Sequence, residues 1–201
     1  FLALTAVSIN ASDALFCGLA DRFIAAERRE AVWAALLDAD WGNDAGAHDA
    51  CMRRVLRRFA ASEDIDPPAP QVQPHLATIN DLCDGDDIHD VIDRISAYAG
   101  DDDWLAKARD GLAHGSQLAA LWIDRQLTTT RHASLREVFE AELVLATNIM
   151  RHREFGEGVR ALLIDKDRKP AWSYAASRDV PETVLDGFFA APWPSNPLAD
   201  L

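Results

Sequence analysis

Apolar residues recur at helical spacing along most of the chain, so the pattern predicts a mainly α-helical structure. The clearest series lies between residues 45 and 60, where one face carries Cys51, Met52, Val55, Leu56 and Phe59. Similar series predict helices over 88–95, 104–112, 117–127 and 135–149, and Val180-Pro181 starts a short helix that carries Leu185, Phe188 and Phe189. One run, 19–24, is strand-like instead, because it is short, largely apolar and preceded by a glycine.

Helix start and stop signals agree with this periodicity. Asn10 or Ser12 can cap a short helix that ends near Gly18. Ser134 and Glu137 have the spacing of a capping box and open the longest predicted helix. These polar residues therefore mark the starts of two predicted helices.

Two acidic clusters lie at predicted helix starts and need no metal to explain them. Asp86 or Asp87 caps one helix, and the cluster 101–103 opens the next. Negative charge is favourable at a helix N-terminus, and the spaced oxygen ligands of a calcium loop are missing from both clusters. We predict no metal site here.

Three prolines divide the chain into two regions. Pro67, Pro68 and Pro70 form its clearest break. We expect one region over 1–66 and a second, helical region over 67–201, which need not be independent domains.

Composition and charge narrow the function classes. The chain has 201 residues, 49% of them hydrophobic, and a formal net charge of −13. This is a globular composition, and its acidity argues against nucleic acid or an anionic membrane as a partner. The three cysteines, Cys17, Cys51 and Cys83, have no metal-type spacing and suit a reducing compartment, which favours a cytoplasmic location.

Basic residues gather on one helical face despite the negative net charge. Four arginines within six positions could hold a phosphate, or they could form a solvated face that pairs with acidic residues, which we favour. They are Arg53, Arg54, Arg57 and Arg58.

Candidate catalytic groups are few. The chain has no Gly-x-Ser-x-Gly elbow, and its histidines lack zinc-ligand spacing. His114, Gly115 and Ser116 have the pattern of a turn between two helices. Glu142 interrupts an apolar stripe, so it is either a catalytic acid or base or a buried structural partner of backbone amides or of Arg160.

The stretch from Glu154 to Asp167, closed by Pro170 and Trp172, resembles the C-terminal signature of the crotonase superfamily. It is similar to the form carried by the 3-hydroxyisobutyryl-CoA hydrolase subfamily. Residues 1–24 also resemble a crotonase segment, with Ala6 where a glycine is usual. The resemblance implies the helical C-terminal region of a crotonase-like α/β spiral. Residues 1–66 would be the end of the core with the helices that follow it, and 67–201 would be the helical region that closes the acyl-CoA site.

The resemblance also implies an activity and one ligand contact. The activity is thioester hydrolysis of a branched 3-hydroxyacyl-CoA in valine breakdown, with no cofactor beyond the CoA of the substrate. Lys166 matches a family position from which a lysine is often directed at a CoA phosphate, although a lysine at a helix end also complements the helix dipole. A glutamate at the position of Glu142 recurs across the family, which favours a structural role for Glu142.

In the family, the catalytic carboxylates and the oxyanion loop precede the part that corresponds to Phe1. We therefore assign no catalytic residue, expect the chain to be a fragment, and predict an upstream crotonase core and possibly a homo-oligomer as partners. Two alternatives stay open: an enoyl-CoA hydratase or isomerase of the same fold, and a non-catalytic helical assembly module.

Overall fold

The computed structural model describes residues 1–60 and 66–199, which form eleven α-helices. In chain order they are α1 (Leu2–Thr5), α2 (Ala11–Phe16), α3 (Arg29–Leu37), α4 (Ala45–Ala60), α5 (Leu76–Cys83), α6 (Ile88–Ser96), α7 (Asp103–His114), α8 (Gln117–Thr129), α9 (Leu135–Arg151), α10 (Arg153–Val159) and α11 (Glu182–Phe189). A π-helical segment, Arg160–Ile164, follows α10 directly. The predicted mainly helical fold class is confirmed.

The strand-like prediction for 19–24 is wrong. In the described residues no segment is assigned to a β-strand, and 19–24 is irregular chain between α2 and a 3-10 turn at Ala26–Arg28. A strand needs the backbone groups of a neighbouring strand, and β-type composition alone does not supply them.

The predicted capping box at the start of α9 is present, and Asn10, one of the two predicted caps of α2, forms a second capping box. Asn10 accepts a hydrogen bond from the Asp13 N–H, and the Asp13 carboxylate accepts one from the Asn10 N–H. Ser134 and Glu137 make the same reciprocal pair at the start of α9. Both boxes satisfy amide groups that the first helical turn leaves without partners.

The acidic clusters act as caps. Asp87 accepts from the His89 N–H at the start of α6. Asp102 accepts from the N–H groups of Trp104 and Leu105 at the start of α7. Their predicted role at helix N-termini is thus confirmed.

The chain divides into two compact units. One consists of Phe1–Val7 together with the chain from Ile79 onwards, and the other is Ser8–Thr78. The predicted division at residue 67, between the end of the core and the region that closes the acyl-CoA site, concerns the parent fold and stays a prediction.

The smaller unit, Ser8–Thr78, is organised around a buried carboxylate. Asp13 accepts hydrogen bonds from Asn10, Gln71 and Val72 N–H groups, so it joins α2 to the chain that follows the prolines. Burial raises the pKa of Asp13, but the three backbone donors more than offset this and leave the pKa below its ordinary value.

The larger unit contains the main core. Its buried residues come from α6, α7, α8, α9 and α11: Val91, Ile92, Ile95, Leu112, Leu118, Ala120, Leu121, Leu145, Leu185 and Phe188. Partly buried Trp122 and His152 add aromatic contacts to Phe188, with ring centroids 4.9 and 5.0 Å away. Among the residues that the structure describes, no helix is long and apolar enough to cross a membrane.

Helix α1 packs closely against α7 at a glycine. A Cβ atom on Gly111 would lie 2.3 Å from the carbonyl oxygen of Thr5, well inside van der Waals contact. Thr5 is itself 1% exposed, so the backbone there has little room to move. Gly111 is therefore required by the close approach of two helices.

We expect Gly111→Ala to destabilise the larger unit by roughly 1–3 kcal/mol, because the new methyl group forces backbone atoms apart. Gly187 in α11 is the matched control, since a Cβ there meets nothing within 4 Å. Gly187→Ala should be stabilising by about 0.5–1 kcal/mol through its higher helix propensity. Urea denaturation of the 201-residue chain measures both, and equal effects of the two substitutions would contradict the close-packing interpretation.

Candidate functional site

Lys166 lies in a sharp turn just after the π-helical segment. Its side chain is exposed, and its φ of 57° is in the left-handed region. Within residues 1–60 and 66–199, its ammonium group has no ion-pair partner. The proposed substrate contact of Lys166 stays a prediction, and its exposure and freedom from ion pairs are compatible with it.

The turn returns the chain towards the helix that it leaves. The Asp165 N–H donates to the Arg160 carbonyl at 2.8 Å, and the Arg168 N–H donates to the Ala161 carbonyl at 3.0 Å. Arg168 repeats the left-handed conformation of Lys166, with φ of 55°. Such backbone costs about 1–2 kcal/mol for a residue with a Cβ, so other contacts must hold the turn.

The guanidinium group of Arg160 supplies those contacts. It donates to both carboxylate oxygens of Glu157, at 3.0 and 2.8 Å. It also donates to Asp165 at 2.6 Å, to Asp167 at 2.8 Å and to the carbonyl of Lys169 at 3.1 Å. One side chain thus ties the end of α10 to the turn on both sides of Lys166.

Backbone amides complete this network. The Ala171 N–H donates to Glu157 at 2.6 Å, and the Lys169 N–H donates to Asp167 at 2.8 Å. Hydrogen bonds from Arg160 and from the Ala171 N–H lower the pKa of Glu157 to about 2. The same guanidinium and the Lys169 N–H lower the pKa of Asp167. Both carboxylates therefore stay ionised across the range in which enzymes work.

Sequence reasoning missed this role of Arg160 and named it only as a possible partner of Glu142. The available signal was the charge pattern itself. Glu157 stands three residues before Arg160, a spacing that brings helical side chains together, and two aspartates follow within seven residues.

The predicted burial of Glu142 is wrong, since its side chain is exposed. Helix α9 packs into the core through Leu145 and Ile149. Leu135 and Phe139, which lie on the side of Glu142, are 72% and 54% exposed. Only part of the broad apolar surface of α9 is therefore covered by neighbouring helices, and Glu142 lies outside that part.

The buried carboxylate of this region is Glu154, which is 3% exposed. It accepts hydrogen bonds from the Ser116 hydroxyl and from the Ser173 N–H, the latter at 2.7 Å. Burial raises the pKa of Glu154, and the bonds from Ser116 and Ser173 more than offset this, so the pKa falls below its ordinary value. This is the structural role that was assigned to Glu142.

The His114–Gly115–Ser116 sequence forms the predicted turn between α7 and α8. Gly115 ends α7, and the Ser116 hydroxyl caps α8 by accepting from the Ala119 N–H. The His114 carbonyl accepts a hydrogen bond from the Trp172 indole at 2.8 Å. In the described residues, no group of three His, Cys, Asp or Glu side chains is arranged to hold a metal ion.

The two glycines of α10 differ in their surroundings. A Cβ on Gly158 would lie 3.3 Å from the Trp172 ring, whereas a Cβ on Gly156 would meet nothing within 4 Å. Gly158 therefore admits an aromatic side chain from the returning chain.

An open, mostly apolar cavity of about 580 Å³ lies beside the turn, within the larger unit. Its walls come from α8, α9, α10 and the returning chain, and they include Trp122, Ile149, Phe155, Leu162, Leu163 and Trp172. Arg168 of the turn is also part of the lining. An apolar concavity with a cation at its side can receive a molecule that has both an apolar part and an anionic part.

Comparison with known proteins places this helical region in a class of fold. The chain superposes on the crystal structure of a carnitinyl-CoA dehydratase from Mycobacterium thermoresistibile with a TM-score of 0.76 at 22% identity, covering 99% of this chain and 53% of that one. An enoyl-CoA hydratase from Rhodobacter sphaeroides gives a TM-score of 0.66 at 25% identity, covering 90% and 48% of the two chains. The fold is therefore that of the helical region of crotonase-type enzymes.

Residues 1–189 match the model of the enoyl-CoA hydratase/isomerase family, and the chain belongs to this family. Mitochondrial 3-hydroxyisobutyryl-CoA hydrolase of Danio rerio is 28% identical over 196 residues, covering 95% of this chain and 48% of the relative. The human mitochondrial hydrolase is 28% identical over 191 residues. The chain thus spans about half the length of these relatives.

We expect Glu154→Gln to lower stability by roughly 1–3 kcal/mol, because the buried hydrogen bonds lose their charged acceptor. Glu142→Gln is the matched control and should stay within about 0.5 kcal/mol, as for other exposed positions. Since the folded-state pKa of Glu154 is below 4.5, its contribution is complete above that pH and is lost as pH falls through the folded pKa. Denaturation of both variants between pH 7 and pH 3 tests this, and a larger loss for Glu142→Gln would contradict the assignment.

Proposed function

We propose that this chain is the C-terminal part of an enzyme that hydrolyses the thioester of a branched 3-hydroxyacyl-CoA, as in valine breakdown. The observation that carries the proposal is the segment from Glu154 to Trp172, together with relatives named 3-hydroxyisobutyryl-CoA hydrolase that align with about 95% of the chain. The carboxylates that activate the attack and the amides that stabilise the oxyanion would lie upstream of Phe1.

In this proposal, Lys166 contacts a phosphate of the CoA. Its support is an exposed ammonium group in a turn whose two aspartates are already engaged by Arg160. Arg168 of the same turn lines the apolar cavity. An ammonium group is a point charge that suits phosphate without a fixed geometry. The upstream core and a second copy of the protein stay predicted partners.

A hydratase or isomerase reaction on an enoyl-CoA is the second candidate. It is favoured by the fold likeness to an enoyl-CoA hydratase at a TM-score of 0.66. The upstream pocket carboxylates would separate the two reactions. The cytoplasmic location also stays a prediction, and several of the relatives are named mitochondrial.

We expect the isolated 201-residue chain to have no thioesterase activity, because no nucleophile, paired active-site carboxylates or oxyanion loop can be assigned to it. Steady-state hydrolysis of 3-hydroxyisobutyryl-CoA by the purified chain tests this, with a mock purification as the blank. Turnover of roughly 1–1000 per second would contradict it.

In the full-length protein, Lys166→Ala should raise KM for the CoA substrate with little change in kcat, since a phosphate contact binds ground state and transition state alike. The effect should shrink as salt rises, because charges are screened over about 8–10 Å. It should disappear with a pantetheine thioester, which lacks the nucleotide.

Lys107→Ala is the matched control, because it removes the same charge from an exposed position on α7. Lys107→Ala should leave KM and kcat unchanged for both the CoA and the pantetheine substrate. An equal rise in KM for the CoA and pantetheine substrates in Lys166→Ala would show that Lys166 is not a phosphate ligand. Lys166 would then only complement the dipole at the helix end.

A further inference from the structure

The turn that carries Lys166 alternates in charge. Asp165 and Asp167 flank the lysine directly, and Arg168 and Lys169 follow. Two carboxylates at these positions would normally oppose an incoming phosphate, because they lie well within a screening length of about 8–10 Å. A phosphate contact at Lys166 therefore requires that both carboxylates be compensated.

Arg160 meets this requirement through one guanidinium nitrogen. Its Nη1 lies 2.6 Å from a carboxylate oxygen of Asp165 and 2.8 Å from one of Asp167. Lys166 and Arg168, in contrast, take part in no ion pair within residues 1–60 and 66–199. The network thus engages both acidic side chains of the turn with a cation other than Lys166 or Arg168, and it leaves these two cations outside any ion pair of the described residues.

The remaining donors of Arg160 fix the turn to α10. Its Nε and Nη2 contact the two oxygens of Glu157, and Nη2 also donates to the Lys169 carbonyl. Glu157 in turn accepts the Ala171 N–H. A forked, planar group can make these contacts together, whereas a lysine has a single charged nitrogen.

We propose that Arg160 is a positioning residue for phosphate binding, which engages Asp165 and Asp167 so that Lys166 can face a CoA phosphate. This inference rests on the proposed function of Lys166 and adds a second residue that controls affinity for the nucleotide end of the substrate. Arg160 itself does not touch the substrate.

The test is made in the full-length protein with CoA and pantetheine thioesters. Arg160→Gln should raise KM for the CoA substrate about fivefold or more, since the two aspartates are then uncompensated near the phosphate. The values of kcat and of KM for the pantetheine thioester should stay nearly unchanged. An equal rise in KM for both substrates, or no rise for either, would overturn the inference.

Neutralising the aspartates distinguishes this role from simple support of the fold. Adding Asp165→Asn and Asp167→Asn to Arg160→Gln should restore part of the lost affinity for the CoA substrate, because the two carboxylates beside Lys166 are then removed although the turn still lacks the hydrogen bonds of Arg160. Arg160→Lys should fall between wild type and Arg160→Gln, because it keeps the charge without the fork. A triple variant as weak as Arg160→Gln alone would overturn the inference.

Hydrogen exchange provides a readout that does not depend on activity. In Arg160→Gln the amides of Lys169 and Ala171 should exchange faster, because their carboxylate acceptors are no longer held. The Ser173 amide, whose acceptor is Glu154, is the internal control and should be unchanged. Unchanged exchange at all three amides would overturn the positioning role.

Lys166→Ala, measured in parallel, separates the two proposals. If it leaves KM for the CoA substrate unchanged, the phosphate contact itself fails. If it raises KM while Arg160→Gln does not, the contact stands and only the role of Arg160 is overturned.

Discussion

The arrangement of the candidate site depends on the buried carboxylate of Glu154. It accepts the Ser116 hydroxyl from the start of α8 and the Ser173 N–H from the returning chain, so three segments meet at one charged group. An ionised carboxylate in an apolar surrounding is unfavourable unless it is hydrogen-bonded, and here the donors more than compensate for burial. This group therefore ties the start of α10 to the start of α8 and to the returning chain.

Trp172 reinforces the same junction. Its indole donates to the His114 carbonyl. Its ring packs against Gly158 so closely that a Cβ atom at that position would force the ring to shift. The turn over 165–169 is thus held at its start by α10 and at its end by Trp172 and Ser173. A loop anchored at both ends can keep two residues in left-handed backbone, which an unanchored loop would avoid.

Local signals made much of the fold predictable, and long-range packing decided the rest. The capping boxes at Asn10 and Ser134 involve residues three apart, so the sequence contains both partners. Glu154, and not Glu142, is the buried carboxylate, because Ser116 and Ser173 donate to it. These two residues are 38 and 19 positions away from Glu154 in the chain. Periodicity says which residues share a helix face but not which face its neighbours cover.

The π-helical segment explains how Arg160 reaches both aspartates. Its closing hydrogen bond runs from the Asp165 N–H to the Arg160 carbonyl, five residues apart, where an α-helix would bond residues four apart. The wider turn accommodates one extra residue and brings Asp165 under the guanidinium group, at 2.6 Å. π-Helical turns are rare and occur frequently at functional sites. In this protein the departure from α-helical geometry is what permits one arginine to hold the carboxylates on both sides of a lysine.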